Sequence, residues 1–348
     1  MNQSVAPPVS PVSLVSPVSA LPWPMLRSGT EVSQSPVHAL QDFQTPESLV
    51  FKVSHMGISA LAQLPPEQWH LEIKGLVRQP LQLSLADLAQ LPRQRVLALH
   101  ECAGHPLFPT VPVRRAATVE WEGVALSEIV QQAGLLPGAR FMWSTGAEYG
   151  HFNKLDHPCY QKDLPLEALL APGSKILLAT HMNGAPLSIE HGAPLRLVVP
   201  DYYGTHSTKW LVALDFQAER CPAYFASQLY NDVGPDGLIP VWQIAPHALI
   251  VSETEGATIN AGLRRSWGWA WASGGVAQVE VSIDGAASWQ VAELDPRIDH
   301  AWQRFEFDWQ AEAGAQQLLC RATARDGRVQ PAKGARNEWF GVRLQVID

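Results

Sequence analysis

The sequence predicts an α+β protein of two domains, in which a mixed α+β domain of short elements is followed by a small β-sandwich. The chain has 348 residues, more than a single core usually serves. Short strand-like runs alternate with short helical stretches up to about residue 230. Beyond that point strand candidates succeed one another, separated by glycine or proline turns, which is the texture of a sandwich. These observations place the first domain at 51–235 and the second at 236–348. Residues 1–50 read as a largely disordered extension, with ordered structure expected from Phe51. As far as Pro24 the chain repeats Pro-Val-Ser without Lys or Arg, so it lacks the basic start of a secretory signal.

In chain order, Trp69–Gly75 reads as a strand closed by a glycine turn, and Ser84–Leu91 as a short helix opened by a serine cap. Val96–His100 is an apolar strand. Leu126–Ala133 and Pro165–Leu170 are further short helices, accompanied by strands around Arg140–Ser144 and Lys175–Thr180. Asn183-Gly184 marks a turn, and His191-Gly192 introduces the proline-bounded strand Leu195–Val199. The sandwich candidates are Val241–Val251, Thr258–Ala270, Ala277–Ile283, Trp302–Trp309, Gln317–Thr323 and Trp339–Val346. In one of them Val279, Val281 and Ile283 alternate with Glu280 and Ser282 ahead of the turn Asp284-Gly285.

Composition excludes several functions. A net charge of -8 without a Lys/Arg cluster argues against nucleic acid, although local charge can still hold a small anion. No run reaches the roughly 18 apolar residues of a membrane span. The cytoplasm is the default compartment, with the periplasm as the alternative. Cys102, Cys159, Cys221 and Cys320 form no CxxC pair, which argues against a cysteine zinc knuckle and a c-type haem.

Cys102 is the first candidate for chemistry. It follows the Val96–His100 strand in the run HECAGHP, ahead of a small Ala103-Gly104 turn. That layout delivers a soft sulfur from a strand end into a cavity, where it could bind a transition metal or act as a nucleophile. A buried free cysteine is the plain alternative. The densest polar signal is HMNGAPLSIEHGAPLRLVVPDYYGTHSTKW, from His181 to Trp210. Within it Arg196 interrupts an apolar strand and needs an anion, a carboxylate or solvent. With His191, Ser207 and Lys209 it could hold a phosphorylated cofactor. The competing roles are a turn cap for His191, pairing of Arg196 with Glu190 or Asp201, and a surface position for Lys209. His55, Glu148 and Tyr230 are further polar candidates, the last with a phenol able to donate to an oxyanion.

Cys102-Ala-Gly, Met182-Asn-Gly-Ala-Pro-Leu, His191-Gly-Ala-Pro-Leu-Arg-Leu-Val-Val-Pro200 and Lys209-Trp-Leu resemble the molybdopterin domain of the sulfite oxidase family. Trp269-Ala-Trp-Ala-Ser-Gly-Gly275, Val279-Glu-Val-Ser-Ile-Asp-Gly285, Ser288-Trp-Gln290 and Val329-Gln-Pro331 resemble its immunoglobulin-like dimerisation domain. The resemblance implies a molybdenum centre carrying one molybdopterin, with Cys102 as the protein ligand on the metal. It implies that His55, Glu148, His191, Arg196, Ser207 and Lys209 contact the pterin and its phosphate, and that Tyr230 stands beside the metal's exchangeable oxygen. It further implies oxygen-atom transfer on sulfite or another small sulfur compound, a homodimer, and an external electron acceptor such as a cytochrome.

The chain also departs from that family. The cysteine motif continues as Cys102-Ala-Gly-His105-Pro106-Leu107, where the family has asparagine and two arginines. Val53 stands for an arginine before Ser54-His55, and Phe340-Gly341 for His-Arg. Three positions of a cationic sulfite pocket are therefore neutral, with His105, Arg114 and Arg115 as candidates to compensate. Two rival readings remain. One is a non-catalytic binding or scaffold protein that retains the fold. The other is cysteine hydrolysis with His105 or His191 as base, for which no residue that orients the base can be named.

Overall fold

Strands buried over most of their length, such as Ala116–Ala125 and Phe141–Gly146, build the first domain on two five-stranded sheets. The computed structural model describes residues 23–104, 111–333 and 337–348. One sheet has the order Ala185–Pro186, Leu177–Met182, Ala116–Ala125 and Arg93–Glu101, with Arg196–Val198 also paired to Leu177–Met182; all neighbours run antiparallel. The other has the order Tyr160–Pro165, Phe141–Gly146, Leu211–Gln217, Leu71–Gly75 and Leu81–Leu83, with Leu71–Gly75 parallel to Leu211–Gln217. The helix after Ser84 falls where its cap predicts. Ser84 accepts from the Asp87 N–H while the Asp87 carboxylate accepts from the Ser84 N–H, a complete capping box ahead of Leu85–Ala89. The helix Leu126–Ala133 buries Leu126, Ile129, Val130 and Ala133 on one face, and Leu166–Leu170 follows Pro165.

The second domain is a sandwich of a four-stranded and a five-stranded sheet. Phe305, Phe307 and Trp309 pack in the core with Val279, Leu318, Cys320 and Val342, whereas Trp269 and Trp271 project from the opposite face of the four-stranded sheet, where Trp302 stacks on Trp269. The single strand expected over Thr258–Ala270 is in fact two. Ala257–Asn260 runs parallel to Phe340–Ile347 in the five-stranded sheet, whereas Gly262–Trp271 belongs to the four-stranded one. Gly262, at φ +133°, lets the chain change sheets there. Likewise Val241–Val251 contains only the short strand His247–Ile250.

The extension needs a larger correction. Residues 1–22 lie outside the described residues, but ordered structure begins well before Phe51. Met25–Ser28 pairs with Gly57–Ser59, Glu31–Ser33 with Lys52–Ser54, and Ser35–Pro36 with Val113–Arg114. Farther on, the Trp269 and Trp302 indoles donate to the Leu40 and Phe43 carbonyls at 2.7 and 2.8 Å. The segment thus straps both domains. Its pairing partners are distant in sequence, so composition alone cannot show the order it acquires. Asp201 adds a further tie between the domains, accepting from His300 Nδ1 at 2.9 Å and from Arg297.

Candidate active site

All eight residues singled out from the sequence line one recess of about 580 Å3, counting its open mouth: His55, Cys102, Glu148, His191, Arg196, Ser207, Lys209 and Tyr230. They arrive from separate places in the fold. Cys102 follows the strand Arg93–Glu101, His55 the strand Lys52–Ser54, and Glu148 the strand Phe141–Gly146. Arg196 opens its own short strand, and Tyr230 ends a π-helical turn, Phe225–Leu229. The sequence reading did not single out His100, Tyr160 and Thr205, which share the same walls.

The polar partners divide the recess into two ends. At one end the Arg196 guanidinium, only 5 % exposed, lies 4.9 Å from the Trp121 ring. It donates to the His191 carbonyl at 3.1 Å and meets His100 Nε2 at 2.6 Å. Neither carboxylate considered from sequence reaches it. Glu190 pairs with Arg27 at 3.0 Å, and Asp201 is occupied by the second domain. Burial lowers the Arg196 pKa to about 9 and that of Lys209 to about 8. Lys209 donates to the Glu190 carbonyl at 3.3 Å and packs on Trp210. The Ser207 hydroxyl accepts from the Val199 N–H at 3.1 Å. His191 closes the turn Ile189–His191, and burial, followed by Arg196 and Lys209, lowers its pKa to about 3, so it is neutral. Among the described residues, His191 Nε2 and Arg196 Nε have no hydrogen-bond partner and are buried.

At the other end Tyr230 Oη lies 2.5 Å from His55 Nε2. Burial raises the phenol well above its ordinary pKa and lowers His55 to about 4, so both are neutral near pH 7. Glu148 accepts from Ser54 Oγ at 2.9 Å, and burial raises its pKa. Burial also pushes the Cys102 thiol up, opposed by the Gly104 N–H and by the Arg115 side chain, which donates toward the sulfur. Arg115 is held by Gln34 Oε1 at 3.2 Å. Arg114, by contrast, is buried over the Phe340 ring at 4.5 Å. His105 lies outside the described residues.

Among the described residues no group of three or more His, Cys, Asp and Glu is arranged to hold a metal. Cys102 is the one cysteine among the residues that line the recess, and its sulfur by itself does not make a closed metal site. Comparison with known proteins defines the class. Residues 55–225 match the family model described as "Oxidoreductase molybdopterin binding domain", and residues 241–345 match "Mo-co oxidoreductase dimerisation domain". The chain is a molybdopterin-oxidoreductase superfamily protein with a C-terminal Mo-co dimerisation domain.

Within this superfamily the chain resembles several enzymes. It is 29 % identical over 324 residues to mitochondrial sulfite oxidase of Homo sapiens, covering 84 % of this chain and 58 % of that protein. It is 25 % identical over 384 residues to the NADPH nitrate reductase of Fusarium oxysporum, covering 90 % of this chain and 42 % of that one. The solved structure of the sulfane dehydrogenase SoxCD from Paracoccus pantotrophus superposes with a TM-score of 0.74 at 26 % identity. That match covers 94 % of this chain and 87 % of that one.

Proposed function

We propose that this superfamily member is a molybdenum-dependent oxidoreductase that oxidises a small sulfur compound by oxygen-atom transfer and passes the electrons to an external acceptor such as a cytochrome. The observation that carries the reading is the sharing of one recess by the Cys102 thiol, the buried Arg196, the half-buried Lys209 and the Tyr230 phenol. A sulfur substrate is favoured because the human relative is named a sulfite oxidase and the solved relative spanning 94 % of the chain a sulfane dehydrogenase.

The residues present fit a molybdopterin. Among the described residues Arg196 is buried without a carboxylate partner, and its Nε and His191 Nε2 are unbonded, so an anion with acceptor oxygens would complete that end. Cys102 would supply a soft protein sulfur to molybdenum. When bound, the cofactor supplies the two-electron redox chemistry of oxygen-atom transfer. Arg196 and Lys209 would neutralise its phosphate, with His55, Glu148, His191 and Ser207 orienting the pterin. The Tyr230 phenol stays protonated and would donate a hydrogen bond to the substrate. The second domain would pair two copies into a homodimer.

Retention of Cys102, Arg196 and Lys209 in one cavity favours this reading over a scaffold that has lost activity. The test is metal and pterin analysis of the purified full chain, followed by Cys102→Ser. The wild type should carry molybdenum and a visible absorption that bleaches with a sulfur reductant. The serine variant should lose both the bleaching and turnover. Full activity in Cys102→Ser would refute the ligand assignment.

A further inference from the structure

Lys162 lies behind the wall of the recess, on the strand Tyr160–Pro165. It shares a face with Tyr160 and Leu164 and is 1 % exposed. Its ammonium donates to the Phe225 carbonyl at 3.2 Å, at the start of the π-helical turn that ends at Tyr230. It lies 5.6 Å from the centroid of the Tyr230 ring and 5.6 Å from that of Trp242. An ammonium buried so completely is costly unless its charge is used.

Balancing Asp163 does not account for it. Arg220 already grips that carboxylate at 2.8 and 3.3 Å, and the Cys221 N–H adds a contact at 3.3 Å. Lys162 stands 3.9 Å from the same carboxylate, so Lys162, Asp163 and Arg220 together carry a surplus positive charge. The remaining titratable neighbours are His206, whose ring nitrogens each lie 3.0 Å from a backbone carbonyl, and the buried Cys221. Neither supplies a compensating anion. What the ammonium does face are two rings, Trp242 and Tyr230, and the Tyr230 hydroxyl reaches the His55 side of the recess.

We propose that Lys162 is a positioning residue for substrate: held against the Tyr230 ring, its charge fixes the phenol, strengthens it as a hydrogen-bond donor, and makes that end of the recess select an anionic sulfur compound. The inference rests on the recess being the active site and adds the charge class of its substrate. It also supplies positive potential at a recess where Val53 is neutral and where Phe340 packs into the sandwich core.

The test uses the full chain loaded with cofactor, and sulfate as a non-reacting dianion, with affinity measured by calorimetry. Lys162→Met should keep the wild-type molybdenum content while sulfate affinity falls by about tenfold, a change of ~1.4 kcal/mol. Lys162→Gln keeps a donor for the Phe225 carbonyl and should show the same loss, which serves if the methionine variant does not fold. In a Tyr230→Phe background the lysine substitution should cost little more, because both act through one phenol. Unchanged sulfate affinity in metal-replete Lys162 variants would overturn the proposal, as would simple addition of the two effects. Absence of molybdenum from the wild type would instead overturn the function proposed for the recess.

Discussion

Gly192→Ala tests how tightly the turn after His191 is fitted to Lys209. Gly192 sits at φ +107°, a conformation costing an alanine about 1–2 kcal/mol. A Cβ there would also meet Lys209 Cβ at 2.9 Å and its Cα and Cγ at 3.0 Å each. The obstacle includes backbone, so the chain must shift, with an overpacking cost of about 1–3 kcal/mol. Gly173 is the control, since it lies at φ +75° with nothing within 4 Å of the position its Cβ would take. Gly173→Ala therefore carries strain alone, about 1–2 kcal/mol, against about 2–5 kcal/mol for Gly192→Ala. At about 2–4 °C per kcal/mol, Tm should fall by about 4–20 °C for Gly192→Ala and about 2–8 °C for Gly173→Ala. Scanning calorimetry at one protein concentration and scan rate makes the comparison. Metal analysis reads the local effect, because the shift draws Lys209 from its contact with the Glu190 carbonyl. Equal losses of Tm, with molybdenum retained by both variants, would show that the close approach has no energetic weight.

Arg196→Met keeps a long side chain on the Trp121 ring and removes the charge and its hydrogen bonds. A charged hydrogen bond is worth about 1.5–3 kcal/mol, so cofactor affinity should fall by about ten- to a hundredfold, read as molybdenum and pterin per chain after dialysis. Retention equal to wild type would remove the anion-gripping role. A second expectation concerns acid. Burial pushes the Asp201 carboxyl up, but the His300 hydrogen bond and the Arg297 charge outweigh it, leaving its folded pKa below the ordinary value. Its contribution is therefore complete above the unfolded pKa of about 4 and is lost as pH falls through the lower folded value. Asp201→Asn should lower Tm near neutrality and flatten its fall as pH drops below about 4. An acid limb as steep as in wild type would show that this carboxylate does not tie the domains.

Local signals were the legible part of the fold. The capping box at Ser84, the amphipathic helix Leu126–Ala133 and the alternation around Val279 each depend on near neighbours, and the structure places those elements within a few residues of expectation. The strap before Phe51 was illegible because its order comes from pairing with distant strands and from carbonyls offered to Trp269 and Trp302. The change of sheet at Gly262 was hidden for a related reason. Asn260-Ala261-Gly262 was the local sign of a break, but it does not reveal that the halves on either side serve different sheets. At the recess, Arg196 could be found because arginine among Leu, Val and Pro is anomalous. Lys162 was passed over because Gln161-Lys162-Asp163 looks like an exposed stretch. Its parity with Tyr160 and Leu164 was the available signal, since positions two apart share a strand face.

The placement of positive charge bears on how far substrate can be read from a superfamily. Val53 lines the recess without charge, and Phe340 lies in the sandwich core beneath the Arg114 guanidinium. Neutral residues at such positions would ordinarily suggest a neutral substrate. Yet Arg115 reaches the Cys102 sulfur and Lys162 stands behind Tyr230, so cations approach both flanks from other elements. An anion responds to the summed potential of its surroundings, whichever strand supplies it. Substitution at a motif position therefore changes the geometry of recognition before it changes the preferred sign of the ligand. On this reasoning the chain should distinguish among sulfur anions by shape and reach, because its charges stand behind an aromatic ring and beside the thiol instead of projecting from Val53 and Phe340.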